Sequence, residues 1–349
     1  MISVKITVST SSVPMMIENL KELKAGILTK EKLHKTLLHK DYQVEFARYN
    51  QEGMPLSMIP MEEYEEYLLN CLNLEEDQVE NPRLRMRHKE LVEFINSIES
   101  FNINVLDKLN ANPKVLQVVE SNLKNGLDDR GFNSLKELNI ISTIGIGNSF
   151  GYPYENFIHF DAMRMQKFIS DEDSLIAFIS HETHHVLMNN IFSEIKFESP
   201  LDYFITSFSF EGLAVKFNNN ATGTLSKVMY PDRNVNVALD GDTWDFLEDD
   251  FEFMMKHLKN DIKRIKDENI SMEDVQNFLN EYWMTPNAIS EATGKTMNIL
   301  HYRLYYMGNE IFGTLYDYYG KEELFKIIRN PSSIIEKFNA VTDEKYHLL

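Results

Sequence analysis

The sequence predicts a helix-rich α+β protein with a small antiparallel sheet near its middle. Apolar residues recur at helical spacing along most of the 349 residues, which is typical of amphipathic helices. The period changes in residues 138–147 and 156–160, where β-branched and apolar residues follow one another or alternate as in strands. The first ten residues alternate in the same way, so we expect an N-terminal strand followed by a mainly helical region.

The chain is long enough to bury a sizeable core and to form more than one region. We expect residues 1–125 to contain the N-terminal strand and a set of helices, and residues 126–349 to contain the two central strands and the later helices. The sequence leaves open whether the first region is a separate domain or packs as part of one unit.

The helices are predicted from periodic apolar residues and from the residues at their ends. The first helix begins near Pro14 and ends before Gly26, because Pro is favoured just inside a helix start and Gly just past its end. Ser170 and Asp173 predict the start of a later helix as a capping box. Further helices are predicted over residues 33–49, 61–72, 88–98, 113–126, 174–191, 201–217, 242–266, 272–282, 297–319 and 322–328.

The two predicted strands are joined by residues 147–155, a short segment rich in turn-forming residues. The short connection predicts that the strands pair in antiparallel fashion. Residues 218–224, after the helix at 201–217, are polar and predict a loop.

Composition excludes several classes of function. Lys and Arg total 35 against 54 Asp and Glu, a formal net charge of −19, whereas nucleic-acid binding needs clustered cations. The single cysteine, Cys71, excludes an intramolecular disulfide framework and a cysteine-rich zinc module, and it is interpreted as a core residue. No window approaches the ~20 apolar residues of a membrane span, and the N-terminus lacks the pattern of an export signal. We therefore expect a cytoplasmic protein without a nucleic-acid or membrane partner.

Residues 181–185 read His-Glu-Thr-His-His and contain the pattern H-E-x-x-H. His181 and His185 lie one above the other on a helix face, so both imidazoles can reach one Zn²⁺. Glu182 is placed to accept a proton from a water molecule that the metal activates. His184 is rotated away from both of the other histidines and is interpreted as a packing or supporting residue.

A third protein ligand must come from elsewhere in the chain. The metzincin pattern needs Gly at position 188 and His at position 191, but the sequence has Met188 and Ile191. Residues 313–320 approach another known pattern, but their Asp317 stands one place too late and is interpreted as part of a helix end. Residues 240–245 lack the spacing of an EF-hand loop, so a calcium site is not expected there.

The remaining possibility is a carboxylate near or in the helix that follows the motif. Glu211 is favoured, because a charge between Phe210 and Leu213 in mid-helix needs a partner. Gly212 lowers helix stability by about 1 kcal/mol, which makes sense where another helix or a metal approaches closely. The alternatives are Glu194, Glu198 and Asp202, the last of which a helix-capping role also explains.

His181 and His185 in H-E-x-x-H, followed by Glu211 in Glu-Gly-Leu-Ala, resemble the gluzincin zinc metallopeptidases, the thermolysin-like group. The sequence resembles more closely the bacterial relatives of this group that are described only as zinc-dependent proteases. Three further segments are also similar to those proteins: residues 145–154, 305–308 and 319–324. The resemblance covers about residues 138–340.

The resemblance implies a zincin-like catalytic unit in residues 126–349, with the edge of a strand lying over a cleft. Substrate would pair with that edge, which residues 140–147 or 156–160 would supply. Val215 departs from the pattern, because thermolysin-like enzymes often carry an aspartate there that supports a histidine ligand. The support for the histidines must therefore be built differently.

We expect a zinc-dependent peptidase with one Zn²⁺ per chain, held by His181, His185 and Glu211. Glu182 is the expected general base toward the metal-activated water, and it passes the proton to the leaving amine. Tyr305 is the expected donor to the developing oxyanion, with Tyr306, Tyr302 and His301 as alternatives.

Three alternatives stay open on the sequence alone. The chain could be a non-catalytic zinc protein, a helical partner-binding protein, or a zinc hydrolase of a non-peptide amide or ester. The expected partner is a peptide or protein substrate, and neither its identity, nor exo- versus endopeptidase action, nor the oligomeric state follows from the sequence.

Overall fold

The computed structural model describes residues 5–51, 58–103, 113–134, 136–147, 151–168, 172–232, 241–268, 270–299 and 301–349. The helix-rich α+β class is confirmed. The chain divides into two compact units, one of Met1–Gln117 with Lys136–Leu175 and the other of Val118–Leu135 with Ile176–Leu349. The division at residue 125 stays a prediction, and a strand from before that residue pairs with one from after it.

The elements are numbered in chain order. Up to residue 168 they are β1 (Lys5–Ser9), α1 (Ser12–Lys24), α2 (Lys30–Leu37), α3 (Lys40–Tyr49), α4 (Met61–Asn70), α5 (Pro82–Asn96), α6 (Pro113–Gly126), α7 (Asp129–Phe132), β2 (Glu137–Thr143), β3 (Gly151–Tyr154), β4 (Phe157–Asp161) and α8 (Ala162–Phe168). From residue 172 they are α9 (Glu172–Ser193), α10 (Pro200–Asn218), α11 (Gly241–Asp249), α12 (Phe251–Asp267), α13 (Met272–Phe278), β5 (Asn287–Ile289), β6 (Thr296–Asn298), α14 (Arg303–Gly308), α15 (Thr314–Tyr319), α16 (Lys321–Ile328) and α17 (Ile334–Asn339).

The first unit contains a four-stranded sheet with the order β1-β2-β4-β3. The predicted strands 138–147 and 156–160 correspond to β2 and β4, but the prediction that they are antiparallel is wrong, because Ile140 pairs with Ile158 in a parallel ladder. The reason is β3, which the sequence did not separate from the connecting segment. β3 forms the antiparallel hairpin with β4 through Glu155, whose φ of 51° lies in the left-handed region.

The position of β2 and β4 also corrects the expectation of a free strand edge. Each of them has a hydrogen-bonded neighbour on both sides over its paired residues, β2 between β1 and β4, and β4 between β2 and β3. Of the four strands, β1 and β3 are the edges. Neither predicted strand therefore offers a free edge along its paired residues to an extended substrate.

A buried polar cluster lies where β2 and β4 end. Arg87 of α5 forms an ion pair of 2.7 Å with Asp161, and both side chains are fully buried. Glu45 of α3 accepts a hydrogen bond from the Thr143 hydroxyl at 2.6 Å and another from the Ile146 backbone N–H at 3.0 Å. These bonds join the helices of the first unit to the sheet.

Most predicted helices are present, with the start or end shifted by a few residues. The helix predicted over residues 33–49 is two helices, because His39 adopts an extended backbone and its ring accepts the Asp41 N–H to start α3. The helix predicted over 242–266 is interrupted at Asp250, whose carboxylate accepts the Ser290 hydroxyl at 2.7 Å. The helix predicted over 297–319 starts at Arg303, after β6, and residues 309–313 form a π-helical turn.

Helix α10 forms the centre of the second unit. It packs against α14 and residues 309–313, and its buried residues surround the whole helix, as in a core helix. Phe204, Phe208 and Phe217 are fully buried, and the Trp283 ring lies edge-on to Phe208 at 4.9 Å. No described helix is both long and apolar enough to cross a membrane, and the cytoplasmic location stays a prediction.

Candidate metal centre

Helix α9 carries the H-E-x-x-H residues in the second unit. The segment is largely buried, and only His181, Glu182 and Asn189–Asn190 in residues 181–190 are more than slightly exposed. Ser170, the predicted capping residue, lies outside the described residues, and the helix is described from Glu172. Since His181 and His185 are one turn apart, their rings point to the same side of the helix.

The structure brings three predicted ligands together at one point. The Nε2 atoms of His181 and His185 lie 3.0 Å apart, and Glu211 Oε2 lies 3.3 Å and 3.1 Å from them. Ligand atoms about 2.0–2.1 Å from a tetrahedral zinc ion lie about 3.3–3.4 Å from one another. The three separations therefore fit a metal ion, and among the described residues this is the only group of His, Cys, Asp and Glu side chains that does.

Helix α10 supplies the carboxylate, while the alternative carboxylates lie elsewhere, two of them with other partners. Asp202 accepts the Ser199 N–H at 3.0 Å and caps the start of α10. Glu194 pairs with Arg130 at 3.0 Å and faces Arg329 at 3.7 Å. Glu198 is exposed, just before α10 begins. Only Glu211 of the four candidates faces the two histidines.

The chemistry of the donor atoms supports a cation between them. His181 Nδ1 lies 2.7 Å from Asn219 Oδ1, which can only accept, so His181 carries its proton on Nδ1. Its Nε2 and that of His185 both face the Glu211 carboxylate. Either protons on the imidazoles or a cation between these atoms offsets the repulsion of their lone pairs, and a bound metal ion can replace those protons.

The electrostatic environment separates the two glutamates. Burial raises the pKa of Glu211, but the neighbouring His185 and His181 outweigh burial and hold that pKa well below its usual range. For Glu182, burial is the largest effect and raises the pKa above its usual value, although His185 and His181 oppose it. Glu211 thus favours the charged form and Glu182 retains protons more readily.

Two glycines bring α10 and α14 together beside the centre. A Cβ atom on Gly212 would lie 2.1 Å from the carbonyl carbon of Gly308, and one on Gly308 would lie 2.1 Å from the Phe208 carbonyl oxygen. The expectation that Gly212 permits a close approach is therefore confirmed, and α14 is the element that approaches. The crossing places Tyr305 of α14 next to Glu211.

Tyr305 is the member of the aromatic group on α14 that faces the centre. Its ring lies nearly parallel to that of His181, with centroids 6.3 Å apart. Burial, followed by the charges of Glu211 and Glu182, raises its pKa well above the usual range, so its hydroxyl stays protonated. Tyr306 points elsewhere, toward Thr224 and Trp244. Tyr302 and His301 lie beside Tyr305, at ring distances of 6.1 Å and 5.4 Å.

The two histidines are held in different ways. His181 is held through the hydrogen bond to Asn219, whereas the ring of His185 lies flat against Phe210, with centroids 4.5 Å apart. His184 points away from the centre into the core, where it is fully buried near Phe217. Its position fits the packing role predicted for it.

Sequence reasoning missed Asn219, because it belongs to a run of three asparagines at the end of α10 that predicts only a loop. It also missed the partnership of Phe210 with His185. Phe210 directly precedes Glu211 in the sequence, which could have suggested that it lies near the centre. No sequence signal selects Asn219. Val215, one turn before Asn219, is fully buried and its side chain can accept no hydrogen bond.

The other features singled out in the sequence have structural roles. Asp317 pairs with the buried ammonium of Lys216 at 2.9 Å, which fits its exclusion from the metal ligands. Cys71 is fully buried, and burial raises the pKa of its thiol to about 12. Asp240 of the rejected calcium segment lies outside the described residues, and Asp242 stands in the first turn of α11.

The α+β fold brings two histidines and one glutamate together between its helices. The protein therefore belongs to the class that can hold a metal ion with two imidazoles and one carboxylate. The chain belongs to the family described as "Putative zinc dependent peptidase (DUF5700)", whose model matches residues 39–346. No curated protein and no solved structure matches the chain. Family membership confirms the prediction of a zinc peptidase at the level of the family, and the matched range contains all the residues of the centre.

Proposed function

We propose that this protein is a gluzincin-type zinc peptidase, with one Zn²⁺ per chain held by His181, His185 and Glu211. The observation that carries the proposal is the convergence of two Nε2 atoms and one carboxylate oxygen within 3.3 Å of one another. Two imidazoles and a carboxylate are a ligand set found in catalytic zinc sites. When bound, the ion supplies a Lewis acid that polarises the scissile carbonyl and makes water more acidic.

Glu182 is the proposed general base and then the proton donor to the leaving amine. It follows His181 directly on α9, and burial favours its protonated form more than in an exposed glutamate. A carboxylate with a raised pKa is a stronger base toward water than an ordinary carboxylate. Its protonated form can then donate the proton to the leaving amine. Its position next to both histidines supports this role.

Tyr305 is the proposed donor to the oxyanion that forms on the substrate carbonyl. Its hydroxyl stays protonated, because burial and the charges of Glu211 and Glu182 disfavour the phenolate. A donor fixed near the point where negative charge develops stabilises the transition state without having to reorganise. The backbone contact between Gly212 and Gly308 supports the fixed position of α14.

The partial exposure of the centre supports a catalytic role over a purely structural one. The side chain of Glu211 is 21% exposed and that of His181 is 12% exposed. Structural zinc sites use four protein ligands and are closed, whereas catalytic sites keep one position for water or substrate. Three protein ligands at a partly open position fit the catalytic class, with a peptide or protein as the proposed substrate.

The substitution Glu182→Gln tests the proposal directly. It keeps the size of the side chain but removes the base, so we expect zinc content to stay at about one per chain and hydrolysis of a mixed peptide library to fall by about 100-fold or more. Glu198→Gln, an exposed glutamate before α10, is the matched control and should leave hydrolysis unchanged. Full activity in Glu182→Gln would contradict the mechanism.

A further inference from the structure

This inference rests on the proposed function and concerns how one of its zinc ligands is held. An imidazole that binds a metal through Nε2 must carry its proton on Nδ1, and the acceptor of that proton fixes both the tautomer and the ring. Within the described residues, His185 Nδ1 has no hydrogen-bond partner, whereas His181 Nδ1 lies 2.7 Å from Asn219 Oδ1. The two ligands are therefore supported unequally.

The amide of Asn219 is held in place by its position in the fold. Asn219 is 3% exposed and ends α10, where its backbone N–H donates to the Val215 carbonyl at 3.1 Å. The next residue, Asn220, has a φ of 53°, and its side chain joins the backbone of Tyr230 by two hydrogen bonds of 2.8 Å and 3.0 Å. The chain beyond the helix end is thereby fixed, and Asn219 with it.

Helix α10 consequently contacts His181 from both sides of the imidazole. Glu211 faces Nε2, and Asn219, two turns later and about 12 Å further along the axis, accepts from Nδ1. Because one rigid helix carries both groups, the distance between them is set by the helix itself. When Nε2 of His181 binds a metal ion beside Glu211, the Nδ1–H tautomer is the one that remains, and Asn219 Oδ1 is placed to accept its proton.

We propose that Asn219 is the positioning residue of the zinc centre, which holds His181 in the Nδ1–H tautomer with Nε2 free to bind. The residue does not touch substrate or metal. Its neutral oxygen accepts the proton without adding a negative charge beside the ligand, unlike a carboxylate. Asn219 thus belongs to the functional site, although the sequence predicts a loop at its position.

The test compares Asn219→Ala with Asn219→Asp and with the control Asn218→Ala. Asn218 adjoins Asn219 and is also buried, but its amide donates to the Ala214 carbonyl at 3.0 Å. Zinc dissociation constants are measured by competition with a chromogenic chelator, on full-length protein whose circular dichroism matches wild type. We expect binding about 10- to 100-fold weaker in Asn219→Ala, within about 3-fold of wild type in Asn218→Ala, and largely restored in Asn219→Asp.

A second measurement avoids zinc altogether. In metal-free protein labelled with ¹⁵N at histidine, the two-bond couplings of the ring report the tautomer. We expect Nδ1 of His181 to carry a proton in wild type and in Asn218→Ala, and to lose that proton in part to Nε2, which faces Glu211, in Asn219→Ala. If Asn219→Ala fails to fold, Asn219→Leu, which fills the space but accepts nothing, takes its place in both measurements.

The outcomes distinguish this inference from the function on which it rests. If wild type binds zinc and Asn219→Ala shows the same zinc affinity and the same ring protonation, the role of Asn219 is overturned and the proposed function stands. Equal weakening in Asn218→Ala and Asn219→Ala would also overturn it, because the helix end and not the hydrogen bond would then matter. Wild-type protein that binds no zinc would overturn both.

Discussion

Gly212 of α10 and Gly308 of α14 lie in direct backbone contact, so close that a Cβ on Gly212 would stand 2.1 Å from the carbonyl carbon of Gly308. The contact adjoins Glu211 on one helix and follows Tyr305 by one turn on the other. Helices usually pack 8–10 Å apart, and only residues without side chains allow a closer crossing. The pair therefore links the packing of the second unit to the geometry of its candidate centre.

Substitution of Gly212 by Ala should separate α10 from α14. The added methyl group meets backbone atoms that cannot rotate away, and overpacking of this kind costs about 1–3 kcal/mol of unfolding free energy, or more. We expect a lower urea midpoint and weaker zinc binding together. Gly241→Ala is the control, since a Cβ there meets no atom of the described residues within 4 Å, and it should be neutral or slightly stabilising. Normal stability in Gly212→Ala would disprove the close crossing.

Tyr305→Phe should lower kcat while leaving zinc content and stability nearly unchanged. Loss of one donor to an oxyanion costs about 10²- to 10³-fold in kcat. Tyr306→Phe removes a hydroxyl from the neighbouring residue, which faces Thr224 at 3.3 Å, and should change stability by about 1 kcal/mol without a comparable loss of kcat. A larger loss of kcat in Tyr306→Phe than in Tyr305→Phe would reverse the assignment of the two tyrosines.

His184→Leu should keep the zinc that His185→Leu loses. His184 is fully buried, and neither of its ring nitrogens has a hydrogen-bond partner in the described residues. A buried N–H without a partner costs about 1–3 kcal/mol, so an apolar side chain of similar size should leave stability equal or higher. Zinc content and the thermal midpoint of both variants provide the measurement. Loss of zinc in His184→Leu would assign this histidine to the centre.

The stability of the first unit should depend on pH through Glu45. Burial, opposed by hydrogen bonds from Thr143 and Ile146, raises the pKa of this carboxyl to about 8. The folded state then keeps a proton that the unfolded state releases above about pH 4.5, so stability is full below that pH and falls as pH rises toward 8. The slope approaches about 1.4 kcal/mol per pH unit.

Glu45→Gln removes this dependence, because glutamine cannot ionise. The difference in urea midpoint between the variant and wild type should grow in favour of the variant from about pH 5 to about pH 8. Glu63→Gln, at an exposed position on α4, controls for the loss of a surface charge. A difference that stays constant with pH would show that Glu45 is ionised in the folded protein across the whole range.

Local patterns in the sequence predicted most of the helices, the positions of β1, β2 and β4, and the three side chains that converge on the centre. The H-E-x-x-H spacing needs only a helix to bring His181 and His185 together, and a charge within the apolar α10 stood out because burial demands a partner. Gly212 was informative for a similar reason, since glycine in a helix interior is unfavourable without a close neighbour.

Features that depend on distant parts of the chain were not predictable in this way. The parallel pairing of β2 with β4 follows from β3, a short strand hidden among turn residues. Asn219 contacts His181 only because α10 ends where it does and Asn220 is tied to Tyr230. Neither relationship leaves a periodic pattern in the sequence.

The most direct test of the proposed centre is the zinc content per chain of wild type, Glu211→Ala and Glu198→Ala, measured by elemental analysis after zinc is offered and excess removed. We expect about one zinc per chain in wild type and in Glu198→Ala, and loss or strong weakening of zinc binding in Glu211→Ala. Zinc retained equally in Glu211→Ala would contradict the assignment of the third ligand. Zinc absent from all three would contradict the metal centre itself.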